Sequence, residues 1–233
     1  MVGEEIRKGL REAWPVALGL IPLGLAFGLL ITQVGFAWFW APIFSLVIYA
    51  GSTEFLAISL ITSGVGPVSA AITGFMVNFR HIFYGLTFPR DAIRSRVGRA
   101  YSTYALTDEN YAIVSARPPG KVSGPWVLTI QIFCQSAWVI AGIVGALVGG
   151  VIPSGLQGME FALVALFAVL AWETFRNNPD WSLPIIALVL GVLVGLVSPA
   201  HLLMIALLLY FFTLLARFLS PALDQKLEWR RSR

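Results

Sequence analysis

Long apolar runs dominate the chain. Residues 13–34, 41–62, 68–88, 125–151 and 156–175 each approach or exceed the ~20 residues a helix needs to cross a hydrocarbon core, and each carries few charges. A further run at 181–219 has room for two such helices, divided at Ser198-Pro199-Ala200-His201. A transmembrane barrel would alternate apolar and polar positions in ~10-residue segments, a pattern absent here. The pattern predicts an all-α polytopic membrane protein with about seven spans. If the chain turns back near Gly51, six spans and a re-entrant segment result instead.

Polar residues interrupt two of these runs. In 41–62 the stretch Ala50-Gly51-Ser52-Thr53-Glu54-Phe55 predicts a broken helix, whose free N–H and C=O ends can hold charged groups. In 68–88 the stretch Val77-Asn78-Phe79-Arg80-His81-Ile82-Phe83-Tyr84-Gly85 places an amide, a guanidinium, an imidazole and a phenol in apolar surroundings. At about 100° per residue, Gly74, Asn78, His81 and Gly85 share one helix face, with Arg80 and Tyr84 on a second strip. Ionisable groups at membrane depth are costly and mark functional sites by default. Glu54 is the expected partner of Arg80. The bland readings are that the two merely neutralise each other, or that Arg80 snorkels to the interface.

The remaining runs carry packing signals. Pro15, Gly19, Pro22 and Ala26 recur at heptad spacing, which predicts a small-residue contact face on a kinked helix. In 125–151, Gln131, Gln135, Trp138, Gly142, Gly145 and Gly149 form a face that is polar at one end and small at the other. Gly191 and Gly195 predict a G-x-x-x-G contact, and Glu173 with Arg176 an interfacial ion pair.

Composition agrees with the pattern: 58% hydrophobic and 12% charged residues, with mean hydropathy +0.80, where soluble domains carry about 25% charge. The single cysteine, Cys134, excludes an intrachain disulfide and a cysteine-based metal cluster. The net charge of +4 lies in the loops and reads as topology, not as a nucleic-acid footprint. Segment 89–124 holds Arg90, Arg94, Arg96, Arg99, Arg117 and Lys121 against Asp91, Asp108 and Glu109, which predicts a cytoplasmic loop. Within it Tyr101, Tyr104, Asp108, Tyr111 and Ser115 predict a short amphipathic helix packed on the membrane domain, with Leu106-Thr107-Asp108-Glu109 as one of its turns. Arg217, Lys226, Arg230, Arg231 and Arg233 predict a cytoplasmic tail. The charged lead 1–12 runs straight into an apolar segment, so no cleavable signal peptide is expected. No H-E-x-x-H, nucleophile–histidine pair or paired aspartates occurs in a span, which argues against an intramembrane enzyme. No cofactor or metal is expected.

A faint internal echo pairs Trp14 with Trp126, and Gly51-x-x-Glu54-Phe55 with Gly158-x-Glu160-Phe161. Three segments per unit would make a 3+3 inverted repeat, with units at about 13–88 and 125–199, the loop 89–124 between them, and an extra helix at about 200–220.

Taken in order, Pro22-Leu23-Gly24 with Phe27-Gly28, Ala50-Gly51-Ser52-Thr53-Glu54-Phe55, Asn78-Phe79-Arg80-His81-Ile82-Phe83-Tyr84-Gly85 and Leu106-Thr107-Asp108-Glu109 resemble the AzlC-type branched-chain amino acid permeases over nearly the whole chain. Members of that family often carry glutamine where this chain has Glu54. The resemblance implies a multi-pass protein of the cytoplasmic membrane that exports neutral hydrophobic amino acids. It also implies a separately encoded small membrane subunit of the AzlD type.

A zwitterionic substrate needs a cation for its carboxylate and an acceptor for its ammonium group. Arg80 suits the first by its planar fork. Glu54 with Asn78 and Ser52 suits the second, with Gly51, Tyr84, Gln131 and Gln135 as further candidate contacts. Proton coupling falls to Glu54, His81 or Asp108. The alternative is an assembly subunit whose small partner completes the pathway.

Overall fold

The computed structural model describes residues 2–117, 122–152, 168, 171, 172, 175 and 179–229. The regular elements among them are all helical. They are α1 (Val2–Gln33), α2 (Trp40–Val47), α3 (Gly51–Thr62), α4 (Pro67–Asn78), α5 (Arg80–Thr87), α6 (Arg96–Tyr104), α7 (Asp108–Ser115), α8 (Gly124–Val151), α9 (Ser182–Val197), α10 (Leu202–Leu219) and α11 (Pro221–Leu227). Among the described residues, α1, α8 and α10 are long and apolar enough to cross a membrane. Most of the fifth predicted segment, with its marker residues Gly158, Glu160, Phe161, Glu173 and Arg176, lies outside the described residues, as do Lys121, Arg230, Arg231 and Arg233.

Both polar interruptions break their helices. Run 41–62 becomes α2 and α3, separated at residues 48–50, just ahead of the glycine expected to mark the break. Tyr49 there has φ 42°, a left-handed conformation that costs a bulky residue energy and is held by surrounding packing. Its buried ring lies 5.9 Å from that of Tyr104. Run 68–88 becomes α4 and α5, interrupted at Phe79. The run 181–219 divides at residues 198–201 as predicted, with His201 exposed in a short 3-10 turn.

Two compact units result. The first comprises residues 1–62 and 79–159. Its axis is the pair α1 and α8, packed along most of their lengths. Backbone meets backbone where glycines remove the side chain: a Cβ on Gly28 would collide with the backbone of Gly142 and Ala146, and one on Gly145 with the backbone of Leu25. The glycine face predicted for 125–151 is therefore the contact face of α8, and its Gln131, Gln135, Trp138, Gly142, Gly145 and Gly149 are all buried. The face predicted for α1 needs correction. Pro15, Gly19 and Pro22 are exposed, while Ala13, Ala17, Gly24, Phe27 and Gly28 are buried. The physical reason is register: Gly24 and Gly28, four residues apart, oppose Ala141, Gly142 and Ala146, and that contact fixes which side of α1 turns inward. Gly35, with φ 100°, ends α1 in a left-handed cap in which the Gly35 amide donates to Thr32 and the Phe36 amide to Ile31.

Phe27 centres the core. Its ring stacks on Trp138 at 6.1 Å and meets Phe55 edge-on at 5.6 Å, with Phe44 at 6.4 Å. The predicted loop helix is two helices. Ser95 caps α6 by accepting from the Gly98 amide, and Thr107 caps α7 by accepting from the Asn110 amide. Leu106-Thr107-Asp108-Glu109 is thus a helix start, not an internal turn. The Tyr-rich face does pack against the membrane domain: Tyr101 donates to Gln135, and Tyr104 donates to the Leu46 carbonyl at 2.6 Å.

The second unit comprises residues 63–78 and 160–233. Here α10 packs on α9, α4 and α11. The predicted Gly191–Gly195 contact is half made: a Cβ on Gly195 would meet Leu202, while one on Gly191 would meet nothing among the described residues.

Candidate functional site

Glu54 is fully buried in the first turn of α3. Trp138 of α8 donates its indole N–H to both carboxylate oxygens, at 3.0 and 3.1 Å, and Ser45 of α2 donates its hydroxyl to Oε2 at 2.7 Å. Gly51 leaves room for that indole, since a Cβ there would sit 3.1 Å from Trp138 Cη2. The expected Glu54–Arg80 pair does not form. Among the described residues the side-chain partners of Glu54 are neutral donors, so the carboxyl can gain or lose a proton without breaking an ion pair.

Arg80 opens α5 and pairs with Asp108, which opens α7. Arg80 Nε donates to Oδ1 at 2.8 Å and Oδ2 at 3.1 Å, and Nη2 donates to Oδ2 as well. The two side chains are 42% and 40% exposed, so the pair is reachable from outside the chain. Beside it Tyr84 stacks on Tyr111 at 4.2 Å, with ring planes 13° apart, and the Tyr111 hydroxyl reaches Thr87 at 2.9 Å. His81 meets Tyr84 edge-on at 5.4 Å. The physical reason for the corrected pairing is that α7 folds back onto α8, bringing a carboxylate to Arg80 that is distant in sequence.

Gln131 and Gln135 hold that fold-back in place. Gln131 donates to the carbonyls of Ser102 and Ala105, and Asn110 of α7 also donates to Ala105. Gln135 accepts from the Tyr101 hydroxyl at 2.7 Å and donates to the Tyr104 hydroxyl at 2.9 Å. Both glutamines therefore hold α6 and its C-cap Ala105, to which Asn110 ties α7. Ser52 is half-buried and its side chain makes no hydrogen bond among the described residues. Asn78 lies in the second unit, where its amide donates to the Gly74 carbonyl at 2.9 Å.

One polar cluster escaped sequence reasoning. Asp180, at the start of the second unit's α9, takes an ion pair from Arg217 at 2.8 Å and accepts from the Ser182 hydroxyl and the amides of Ser182 and Trp229. Arg217 also pairs with Asp224 at 2.7 Å. Burial alone would raise the Asp180 carboxyl, but the guanidinium and the other donors hold it down at about 2. Arg217 is buried and structural, and so is withdrawn from the tail charges used to read topology. Its flank position beside an apolar run was the available signal. Next to it lies a cavity of about 500 Å³ lined by Leu183, Leu214 and Phe218 among others. In the first unit a cavity of about 880 Å³ opens beside Val2, Ile93, Ser95 and Leu128, and none of the predicted site residues lines it.

This is a multi-pass helical protein of the inner membrane. The sequence profile of the AzlC protein family matches residues 15–152, more than half of the chain, and the chain belongs to that family. An uncharacterized membrane protein of Helicobacter pylori is 30% identical over 91% of this chain and 96% of its own length. The inner membrane protein YgaZ of Escherichia coli is 30% identical over 81% of this chain and 80% of its own. The branched-chain amino acid transport protein AzlC of Bacillus subtilis is 28% identical over 70% of this chain and 65% of its own. No solved structure matches the chain.

Proposed function

We propose that this protein is a secondary transporter that exports branched-chain or other neutral hydrophobic amino acids across the cytoplasmic membrane, driven by the proton gradient. A small membrane subunit of the AzlD type completes it. Membership of the AzlC family and the name of the Bacillus subtilis relative support the substrate class. The observation that carries the mechanism is Glu54: a fully buried carboxyl beside a broken helix, answered by neutral donors alone among the described residues. Such a group is suited to carry the proton. Arg80 takes the substrate carboxylate, for which its fork is already arranged in bidentate geometry. His81 and Tyr84 flank that position.

Counterflow of L-isoleucine in proteoliposomes tests the reading. Arg80→Ala is expected to abolish exchange while the protein reconstitutes at normal yield. Full exchange by Arg80→Ala would remove Arg80 from the binding site. If saturating isoleucine or valine stabilises the chain only when it is co-expressed with its small partner, the assembly-subunit alternative is favoured.

A further inference from the structure

The ammonium partner of the substrate remains to be assigned, since Glu54 is not paired with Arg80. We propose that it is Asp108, and that the amino acid headgroup binds by inserting between Arg80 and Asp108. This rests on the reading of Arg80 as the carboxylate site. An ion pair opened by a zwitterion keeps every charge matched: substrate carboxylate faces the guanidinium, substrate ammonium faces the aspartate, and net charge is unchanged. A substrate carrying a carboxylate alone would strand Asp108, and one carrying an ammonium alone would strand Arg80. The site thus selects zwitterions by its own charge balance.

The geometry suits insertion. The two charges sit at the first residues of different short helices, α5 and α7, so they can separate without unfolding either. Both side chains are about 40% exposed, which gives the headgroup a route in. The same two helices are closed on each other by the Tyr84–Tyr111 stack and by the Tyr111–Thr87 hydrogen bond, contacts that must part as a headgroup enters. The Thr107 cap and the Asn110 bond to Ala105 hold the start of α7, so Asp108 moves with its helix as a unit.

Binding of L-isoleucine and of its des-amino analogue 3-methylpentanoate to the full chain in lipid nanodiscs tests this. The wild type should prefer isoleucine. In Asp108→Asn, isoleucine affinity should change little, because the lost ammonium contact is offset by the ion pair that no longer has to be opened. The analogue should bind tighter, by up to about fivefold, the worth of a half-exposed ion pair, because Arg80 is released from its internal carboxylate, and the preference for isoleucine is lost. Asp108→Glu, which keeps the charge, should retain the preference for isoleucine and guards against a loss caused by misfolding. Both ligands tightening equally in Asp108→Asn, with their affinity ratio unchanged from wild type, would overturn the insertion and leave Asp108 a mere competitor for Arg80. Both ligands binding undiminished to Arg80→Ala would overturn the carboxylate site itself, a separate failure.

Discussion

Replacing Glu54 in two ways separates its charge from its packing. In Glu54→Gln the amide oxygen can still accept from the Trp138 indole, and the amide N–H can donate to the Ser45 oxygen, which occupy the two positions now held at 3.0 and 2.7 Å. The indole keeps one of its two acceptors and Ser45 keeps a partner, so the change should cost about 1 kcal/mol. Glu54→Ala leaves the indole N–H without an acceptor and opens a void in a fully buried site, at ~1–3 kcal/mol for the orphaned donor and more for the lost packing. At about 2–4 °C per kcal/mol for a chain of this size, thermal unfolding should separate the pair clearly, with Glu54→Gln near wild type and Glu54→Ala well below it. Proteoliposomes with an imposed pH gradient then give the functional readout. Glu54→Gln should retain isoleucine exchange but lose gradient-driven accumulation. Wild-type accumulation by Glu54→Gln would refute a proton-carrying role. A Glu54→Gln protein as unstable as Glu54→Ala would refute the hydrogen-bond argument on which it stands.

Other substitutions test the scaffold. Gly28→Ala forces a methyl into the backbone of Gly142 and Ala146 and should destabilise by ~1–3 kcal/mol, read as a lowered melting temperature. Gly51→Ala sets a Cβ 3.1 Å from Trp138 Cη2, so the indole must shift; a change in tryptophan fluorescence and a loss of about 1 kcal/mol are expected. Asp180→Asn should cost ~2 kcal/mol, the worth of lowering that carboxyl from 3.8 to about 2. Because the folded value is depressed, this stability is complete above the unfolded value and fades as pH falls. The gap between wild type and Asp180→Asn should therefore shrink from pH 6 to pH 3, where roughly half of it remains.

Much of the fold was legible because bilayer thickness sets helix length and close packing demands small residues. The apolar runs that became α1, α8, α9 and α10 needed nothing beyond counting, and the polar-to-small face of α8 followed from spacing alone. The break in 41–62 was visible as Gly51 and its polar neighbours, although the strained residue is Tyr49, for which no local residue signal exists. The partner of Arg80 was not legible. Asp108 lies 28 residues away and reaches it only because Thr107 caps α7, which folds back under bonds from Asn110 and Gln131 to one carbonyl. Asp180 and Arg217, 37 residues apart, were hidden for the same reason. Sequence periodicity reports which side of a helix is apolar or small; it does not report which distant side chain arrives there.

The two candidate charge sites differ in a way that suits two different cargoes. Glu54 can change its protonation against neutral partners, whereas Arg80 and Asp108 form a balanced pair best opened by something itself balanced. One helix serves both. Trp138 of α8 holds Glu54, and Gln131 and Gln135, within two turns of it, hold α6 and the Ala105 carbonyl to which Asn110 ties α7 and with it Asp108. A rotation or shift of α8 would therefore disturb the indole at Glu54 and the anchor of α7 together. Its close glycine contacts join it to α1 along most of their lengths, whereas the short helices α2, α3, α6 and α7 meet this pair over smaller areas. In that arrangement coupling between proton and amino acid requires no contact between Glu54 and Arg80, and the absence of such a contact is not an argument against it.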